Sequence, residues 1–514
     1  MKRFIGRTLF LFCAVISFNA FAQKTQNSAA TPITDNQGRI RYIIDFTKEA
    51  TQGQPTHIKP GEPLNDGLPD WQKPEMRYFA KGIAKKYGLT PLSTTSWVGN
   101  SITAYLTHGQ VQALENDERV TLITQDMHLG FSSYVSPPWG DSPPSPDVPD
   151  GEKISWGTAA VNGGNPINHT GDVKVYVLDS GVGYHTDLGG YGSAQVQRYN
   201  PNLVPNQYPW QWFNPVGCYA HATHVAGIIG AQANNSGTRG VNPGVPIVSV
   251  STGDSAGYLC SNSSLSTEDR YIYGGYTVAS AISVGLDMIM QLVIQNGWYK
   301  PGIVNMSFND RFATTEAANV FGYGSTLGNK MYALTIPYSG YSYHYAGVFI
   351  VQSAGNQYGD ACLHAFNGYL GGGANPYDGI MVVGGIDNSG APVTPANGSF
   401  IEPNGSTEVG SNYGRCVDVW APAQKIWSMW GGRAFGTPPF PYTGDQLSTV
   451  AYSTIDYLSG TSMAAPHIAG VASYLAETQN LTTPLQIEAA VRAHFNFLGH
   501  YDHVGFPIYM PTLP

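Results

Sequence analysis

Three polar residues stand where their side chains could carry out nucleophilic catalysis. Asp179 closes an apolar run in VLDSGV, His221 opens HATHVAG, and Ser462 lies in LSGTSMAAPHIAG. An aspartate after a buried strand occupies the sheet edge where α/β proteins place their active sites. Gly460 allows a tight entry into a helix that begins near Ser462. These residue types predict a serine nucleophile, a histidine base and an aspartate that orients the base.

Each residue also has an ordinary interpretation when taken alone. Asp179 could be a buried structural residue or an aspartyl nucleophile, and Ser462 could be a helix N-cap. His221 and His224 could bind zinc, although no glutamate follows His221 as in a zinc-binding HExxH motif. The order Asp, His, Ser along one chain favours catalysis over these alternatives.

Together the three segments resemble the signature segments of the subtilase family, nearly letter for letter. Subtilisin has the same Asp, His, Ser order. The resemblance covers most of residues 155–514 and implies an α/β fold, a subtilisin-like parallel sheet of seven strands with helices on both faces. It also implies a serine endopeptidase: Asp179 orients His221, His221 takes the proton of Ser462, and Ser462 forms an acyl-enzyme.

The resemblance further identifies residues of the expected cleft. Asn356, at the end of a strand-Ala-Gly-Asn segment, is expected to donate to the oxyanion together with the backbone N–H of Ser462. Substrate is expected to add as an extended strand between two enzyme strands, one of them near residues 262–265. The substrate-binding residues implied are Ser307, Phe308, Asn309, Ser353, Ala354 and Gly355.

Two positions depart from the family pattern. Ala222 replaces a glycine and would be strained if its φ were positive. Asn309 and Asp310 stand where the family usually has two glycines, which leaves the shape of the specificity pocket open. The expected walls carry no charge, so an apolar or aromatic residue is expected before the scissile bond, unless Asp310 or Glu268 turns inward.

The amino terminus predicts export. Residues 1–22 combine a basic start, a short apolar run and the small-x-small sequence Ala20-Phe21-Ala22, which together indicate a signal peptide cleaved after Ala22. We therefore expect a secreted protein, extracellular or periplasmic, that is not held in a membrane once the signal is removed. The Pro-rich stretch at residues 131–152 predicts a linker that contains the processing region.

Residues 23–130 lie between these segments and predict a small α+β, ferredoxin-like domain of alternating strands and helices. The stretch TAYLTHGQVQALENDERVTLI resembles the subtilase propeptide, which implies an inhibitor of the protein's own peptidase domain, residues 153–514. No further partner is expected beyond polypeptide substrates, and a monomer is expected.

Four cysteines follow the signal peptide: Cys218, Cys260, Cys362 and Cys416. An even number in an exported chain predicts disulfides, with three pairings open, whereas a zinc site would want Cys-x-x-Cys pairs. SNYGRCVDVWAPA resembles the aqualysin and proteinase K branch of the family. That resemblance implies the bridges Cys218–Cys260 and Cys362–Cys416.

Catalysis of this kind needs no cofactor, but a structural Ca²⁺ is one interpretation of residues 232–238. The sequence AQANNSGTRGV resembles the calcium loop of subtilisin, with Asp187 and Asn234 as side-chain ligands. A polar turn without metal is the alternative.

Composition narrows the function further. The 514 residues carry a net charge of −9, with only 12% charged residues, which argues against a nucleic-acid partner. Three alternatives to a broad endopeptidase remain open: a processing protease dedicated to one partner, an inactive subtilase acting as a scaffold, and an esterase or acyltransferase that uses the same triad. The absence of a GxSxG motif around Ser462 argues against the esterase.

Overall fold

The computed structural model describes most of the chain. The described residues are 25–26, 32–58, 68, 71–131, 151–190, 193–199, 201, 220–252, 276–295, 300–310, 320–322, 324–339, 344–368, 377–397, 400–401, 408–429 and 455–514. The predicted signal peptide, Cys218, Cys260 and all but the ends of the predicted linker lie outside them.

A sheet of seven strands forms the centre of the peptidase part, and all of its strand pairs are parallel. This confirms the fold class expected from the sequence. Six strands come from apolar runs that predicted them, whereas the edge strand Val196–Tyr199 was not predicted. In order across the sheet, the strands are Val419–Pro422, Ile380–Ile386, Val348–Ser353, Gly302–Met306, Val175–Asp179, Ile247–Ser251 and Val196–Tyr199.

Helices cover both faces of this sheet because alternate residues of a strand face opposite sides. Every residue of Val175–Asp179 is buried. Val175 and Val177 pack in one apolar core, whereas Tyr176 and Leu178 pack in the other. The first core receives the helices Ala220–Gly230, Thr461–Thr478 and Pro484–Ala493, and the second receives Ala279–Gln295 and Thr326–Thr335.

Shorter elements complete the peptidase part. The short helices are Trp156–Ala160, Thr186–Leu188 and Ala361–Leu363. Strand pairs are Lys153–Ile154 with Thr238–Arg239, Tyr338–Ser339 with His344–Tyr345, Phe400–Ile401 with Glu408–Val409, Ile426–Met429 with Ile455–Leu458, and Phe495–Tyr501 with Pro507–Pro511. Within the described ranges, no helix has the length and apolar character needed to cross a membrane.

Residues 32–131, here called the amino-terminal unit, form an α+β arrangement with a core of their own. The order of strands and helices along the chain is β-α-β-β-α-β, and the helices are Pro74–Tyr87 and His108–Glu115, with a short 3-10 turn at Lys48–Thr51. Across the sheet, the strands are Thr25–Gln26, Val120–Gln125, Ile40–Phe46, Asn100–Leu106 and Pro91–Thr95.

Local sequence explains the helices of this unit. Pro74 occupies the first turn, where its missing N–H costs nothing, and Gly88 ends the helix with φ 65°. Met76, Phe79 and Ile83 fall on one face and are buried. The second helix begins with a capping box between Thr107 and Gln110.

The strand His128–Phe131, here called the cleft strand, joins the amino-terminal unit to the peptidase part. It lies between Tyr276–Val278 and Phe308–Asn309 and is antiparallel to both. Residues 262–265, where the second enzyme strand was expected, lie outside the described residues. The chain therefore inserts one of its own segments as the middle strand of a three-stranded sheet.

Candidate active site

Asp179 is the last residue of a central strand of the main sheet and is completely buried. Its Oδ1 accepts hydrogen bonds from Ser180 N at 2.6 Å and pairs with His221 Nδ1 at 2.9 Å. The strand ends here because Gly181 follows with φ 106°, a conformation that favours glycine. The carboxylate is thus held at the carboxyl edge of the sheet with its acceptor directed at the imidazole.

His221 lies in the first turn of the helix Ala220–Gly230, and its side chain is 9% exposed. Ala222, the departure from the family pattern, is buried in this helix and is not among the residues with positive φ. The alanine is therefore not strained there. His224 is a structural residue, since its Nε2 bonds the backbone oxygen of Ile426 at 3.0 Å.

Ser462 lies in the first turn of the helix Thr461–Thr478, where a backbone N–H has no partner within the helix. Gly460 precedes this helix with φ 143°, so the tight entry requires a glycine. The Ser462 hydroxyl donates to the backbone oxygen of Ser307 at 2.7 Å, and the Ser307 hydroxyl donates to the backbone oxygen of Ser462 at 2.9 Å. Two reciprocal hydrogen bonds therefore join the segment at Ser307 to the start of the helix that carries Ser462.

Asn356 is held by the same helix start. Its Oδ1 accepts from the backbone N–H and the hydroxyl of Thr461, both at 2.9 Å. Its Nδ2 is buried and has no hydrogen-bond partner within the described parts of the chain. Because the oxygen is fixed by two donors, the amide presents a donor that is available for a ligand.

The two expected pocket walls run side by side and are fully buried. Ser353 ends one strand of the sheet and is followed by Ala354 and Gly355, while Ser307, Phe308 and Asn309 follow the neighbouring strand. Asp310 is also buried. Glu268, the other carboxylate considered for the rim, lies outside the described residues.

Two supporting residues were not predicted from the sequence. Thr461 orients the amide of Asn356, and Asn412 holds the loop that follows it. Asn412 Oδ1 accepts from the backbone N–H of Gln357 at 3.0 Å and of Gly359 at 2.9 Å, while its Nδ2 donates to Ala354. Thr461 lies in the motif around Ser462, and Asn412 lies in the sequence Ser411-Asn412-Tyr413. The motifs mark both residues, but their positioning roles follow only from contacts in the structure.

One of the two expected disulfides is present, between Cys362 and Cys416, whose Cα atoms lie 5.2 Å apart. It joins the loop after Asn356 to the segment before the strand Val419–Pro422. The other expected bridge, Cys218–Cys260, falls outside the described residues and stays a prediction.

Asp187, one of the two predicted calcium ligands, is completely buried among neutral donors. It accepts from Thr238 N at 2.9 Å and from Asn234 Nδ2 at 3.4 Å. His185 Nδ1 accepts the backbone N–H of Asp187 at 3.1 Å. Burial raises the pKa of Asp187 to about 6, against the hydrogen bonds that lower it. Within the described ranges, no three His, Cys, Asp or Glu side chains cluster as a metal site.

A parallel sheet covered on both faces, with an aspartate–histidine pair and a serine at a helix start beside it, defines a serine hydrolase class of site. The sequence profile of the subtilase family matches residues 170–496. This chain therefore belongs to the subtilase family, the subtilisin-like serine endopeptidases.

Two curated relatives are similar over much of this chain. Alkaline serine exoprotease A of Vibrio alginolyticus is 27% identical over 424 residues, which are 81% of this chain and 60% of the relative. Extracellular serine proteinase of Thermus sp. strain Rt41A is 27% identical over 385 residues, 74% of this chain and 67% of the relative. This chain thus spans about two thirds or less of those relatives' lengths.

A solved structure supports the fold alone. Fervidolysin from Fervidobacterium pennivorans, described as a keratinolytic enzyme related to subtilisin, has 18% sequence identity and a TM-score of 0.54. The match covers 95% of this chain and 62% of that chain. The finer assignment to the aqualysin and proteinase K branch stays a prediction.

Proposed function

We propose that this chain is a secreted serine endopeptidase that hydrolyses peptide bonds in polypeptides through Asp179, His221 and Ser462. The observation that carries the proposal is the 2.9 Å hydrogen bond from His221 to buried Asp179, on a helix packed against the one that begins at Thr461. An aspartate so placed keeps the proton on Nδ1, which leaves Nε2 able to accept one.

The reaction then follows from the positions of these groups. Ser462 rotates its hydroxyl from the Ser307 oxygen to His221 Nε2, loses its proton and attacks the peptide carbonyl. Asn356 Nδ2 and the Ser462 N–H donate to the oxyanion that forms. His221 passes its proton to the departing amine, and water hydrolyses the acyl-enzyme by the same steps in reverse order.

The amino-terminal unit is proposed to be the inhibitory part of a precursor that processes itself, with residues 23–130 as propeptide and 131–152 as linker. The support is the cleft strand, which pairs with Phe308–Asn309 as a substrate would. In the backbone register, Phe308 is paired with Phe131 and Asn309 with Gly130. This register brings the carboxyl end of the cleft strand beside the segment that follows Ser307, whose backbone oxygen accepts from the Ser462 hydroxyl, so the cut is proposed to fall within the adjoining residues 131–152.

Export is proposed from the predicted signal peptide, residues 1–22, with Ala22 before the cleavage site. The Thermus relative is itself named an extracellular proteinase, which agrees with this assignment. The protein would act outside the cytoplasm, where the Cys362–Cys416 bridge is stable.

Peptide hydrolysis tests the proposal directly. The purified protein is expected to cleave chromogenic peptides and to lose activity on stoichiometric labelling by a serine-directed phosphonate. Ser462→Ala is expected to abolish both cleavage and labelling. Ser473→Ala is the matched control, since Ser473 is a buried serine of the same helix that bonds Gly470 and Asn242, away from the pocket. Binding of peptides without hydrolysis by the unaltered chain would instead support the inactive scaffold.

Breadth of substrates is a separate question, and we propose broad digestion. The two pocket walls contain no charged side chain, which removes a common cause of narrow selectivity. Profiling cut sites across a whole-proteome digest is expected to show many sites. A single cut protein would indicate a dedicated processing protease.

A structural Ca²⁺ beside Asp187 is proposed on the chemistry of the carboxylate, which is buried and hydrogen-bonded by neutral donors. A buried charge without a cation is costly, and Asp187 with Asn234 Oδ1 could supply two hard oxygen ligands if the amide turned over. EDTA is then expected to lower the melting temperature of the Ser462→Ala protein, and added Ca²⁺ to restore it. An unchanged melting temperature would leave the polar turn as the better account.

A further inference from the structure

Asn309 connects the two walls of the specificity pocket. Phe308 packs in the second apolar core, and successive residues of an extended strand point to opposite sides. Asn309 therefore points away from that core, on the same side as Ser307 and the nucleophile. A Cβ built on Gly355 of the facing wall would lie only 1.9 Å from Asn309 Nδ2. The amide of Asn309 thus contacts the backbone of Gly355 and closes the gap between the walls.

Gly355 permits this contact in two ways. Its φ of 105° favours glycine, and any side chain at this position would overlap Asn309. The wall residues and Asn309 are therefore matched: glycine on one side leaves room for the larger side chain on the other.

The Nδ2 of Asn309 is buried, and no hydrogen-bond partner for it exists in the described residues. The residue is 1% exposed, so water cannot readily satisfy the donor. The adjacent amides are already used: Gln357 Oε1 accepts from Asn356 N and Asn412 Nδ2, both at 3.0 Å. Asn412 Nδ2 also donates to Ala354 at 2.9 Å.

A buried donor without an acceptor is uncommon in folded proteins and calls for an explanation. In a pocket wall, the natural explanation is an acceptor that arrives with the ligand. An apolar side chain brought against this amide would leave it unsatisfied, whereas an oxygen would satisfy it.

Resting on the proposed function, we propose that Asn309 determines specificity by selecting a short side chain with a neutral oxygen acceptor, such as Ser or Asn, before the scissile bond. The closed gap excludes large aromatic side chains. This replaces the apolar or aromatic preference inferred from the uncharged walls.

Matched peptides that differ only in the residue before the cut test the proposal. Asn and Leu are the sharpest pair because they have similar shapes and differ in the acceptor. For the unaltered enzyme, kcat/KM is expected to be at least about fivefold higher for Asn than for Leu, and at least about tenfold higher for Ser than for Phe. Equal or reversed ratios, with peptides still cleaved, would overturn the proposal.

Two substitutions separate the donor from the size of Asn309. Asn309→Leu keeps the bulk but removes the donor, so the preference for Asn over Leu should disappear while Phe stays excluded. Asn309→Gly removes both, so Phe should become a better substrate than Ser. Labelling with the serine-directed phosphonate counts active sites in each variant, which separates altered specificity from poor folding. If either variant fails to fold, the Asn/Leu and Ser/Phe ratios of the unaltered enzyme still decide the matter.

Failure of this inference is distinguishable from failure of the proposed function. Cleavage of peptides that disappears in Ser462→Ala, but with Phe preferred over Ser, would reject only the role of Asn309. No cleavage of any peptide by a correctly folded, unaltered enzyme would reject both.

Discussion

At the scale of single residues, Asn356 has two separate functions in one amide group. Its oxygen accepts two hydrogen bonds from Thr461 and so fixes the loop to the start of the helix that carries Ser462. Its nitrogen has no partner in the described part of the chain and is buried. The structural half of the amide therefore holds the proposed catalytic half in position.

Replacing Asn356 with Asp separates these two halves. Asp keeps an oxygen for Thr461 but removes the donor, so kcat is expected to fall by about 10²–10³, the loss reported for the equivalent kind of donor in subtilisin, with a much smaller change in KM. Steady-state kinetics with labelled active sites measure this. Gln357→Glu is a neighbouring control that changes an amide outside the proposed oxyanion site. A rise in KM with kcat unchanged would place Asn356 in substrate binding instead.

At the scale of secondary-structure elements, the carboxy-terminal helix Pro484–Ala493 is joined to the sheet by ion pairs in which Glu488 is buried and Arg492 and Asp418 are partly buried. Arg492 bonds Glu488 Oε1 and Asp418 Oδ1, each at 2.8 Å. Glu488 also accepts the backbone N–H of Gly379 at 2.8 Å. Burial is the main cause that raises the pKa of Glu488 to about 7, and it raises the pKa of Asp378 to about 7, aided by the charge of Asp418. The single guanidinium of Arg492 therefore lies among three carboxyl groups, those of Glu488, Asp418 and Asp378, and its one positive charge cannot neutralise all three.

This cluster predicts how stability depends on pH. The pKa of Glu488 is 4.5 in its ordinary state and about 7 when folded, so protonation favours folding. The stabilising contribution is fully present below pH 4.5 and is lost as the pH rises through 7. Glu488→Gln removes that loss. The melting temperature of the variant relative to its parent should therefore be higher at pH 8 than at pH 5, by about 3 °C for a difference of roughly 1 kcal/mol.

Both proteins should carry Ser462→Ala to prevent self-digestion during melting. Glu477→Gln is the control, a glutamate on the preceding helix that accepts from Thr170 N near the surface. Its effect should be the same at both pH values. A Glu488→Gln effect that is larger at pH 5 would contradict the assignment.

At the scale of the whole molecule, the amino-terminal unit and the peptidase part are joined by hydrogen bonds at the helix Ala279–Gln295. Each part contributes one buried carboxylate that accepts from the other part. Asp126 of the unit caps this helix, accepting from Ser280 N at 3.0 Å and from the Ser280 hydroxyl at 2.6 Å. Asp287, from the helix, accepts the backbone N–H groups of Ser96 and Val98 at 2.9 Å. These reciprocal bonds seat the unit so that its next residues enter the cleft.

The arrangement predicts self-processing. The wild-type precursor is expected to release a chain whose new amino terminus lies within residues 131–152, whereas a purified Ser462→Ala precursor should stay uncut. Ser473→Ala, the matched control, should mature normally. Mass spectrometry and amino-terminal sequencing measure these outcomes. A Ser462→Ala precursor that matures unaided would show that another activity makes the cut, and a terminus well outside residues 131–152 would contradict the assignment of that stretch as the processing region.

The sequence by itself determined the class of protein and most of its central sheet. Asp179, His221 and Ser462 lie in segments whose residues match the family's signature sequences. Six strands of the main sheet are short apolar runs, a pattern that predicts buried strands. The helix Pro484–Ala493 was predicted from its proline and its cap at Thr483, which bonds Gln486 N. Signals of this kind are local, since each depends on residues a few positions apart.

Only the tertiary structure decided the features that depend on distant residues. Val196–Tyr199 is an edge strand with one fully buried residue, and Pro91–Thr95 lies at the edge of the other sheet, so neither shows the apolar run of a central strand. The same holds for the contact between Asn309 and Gly355 and for the unsatisfied amide of Asn356. Whether a buried donor finds an acceptor is set by groups that meet across the fold, and neither spacing nor composition records those meetings.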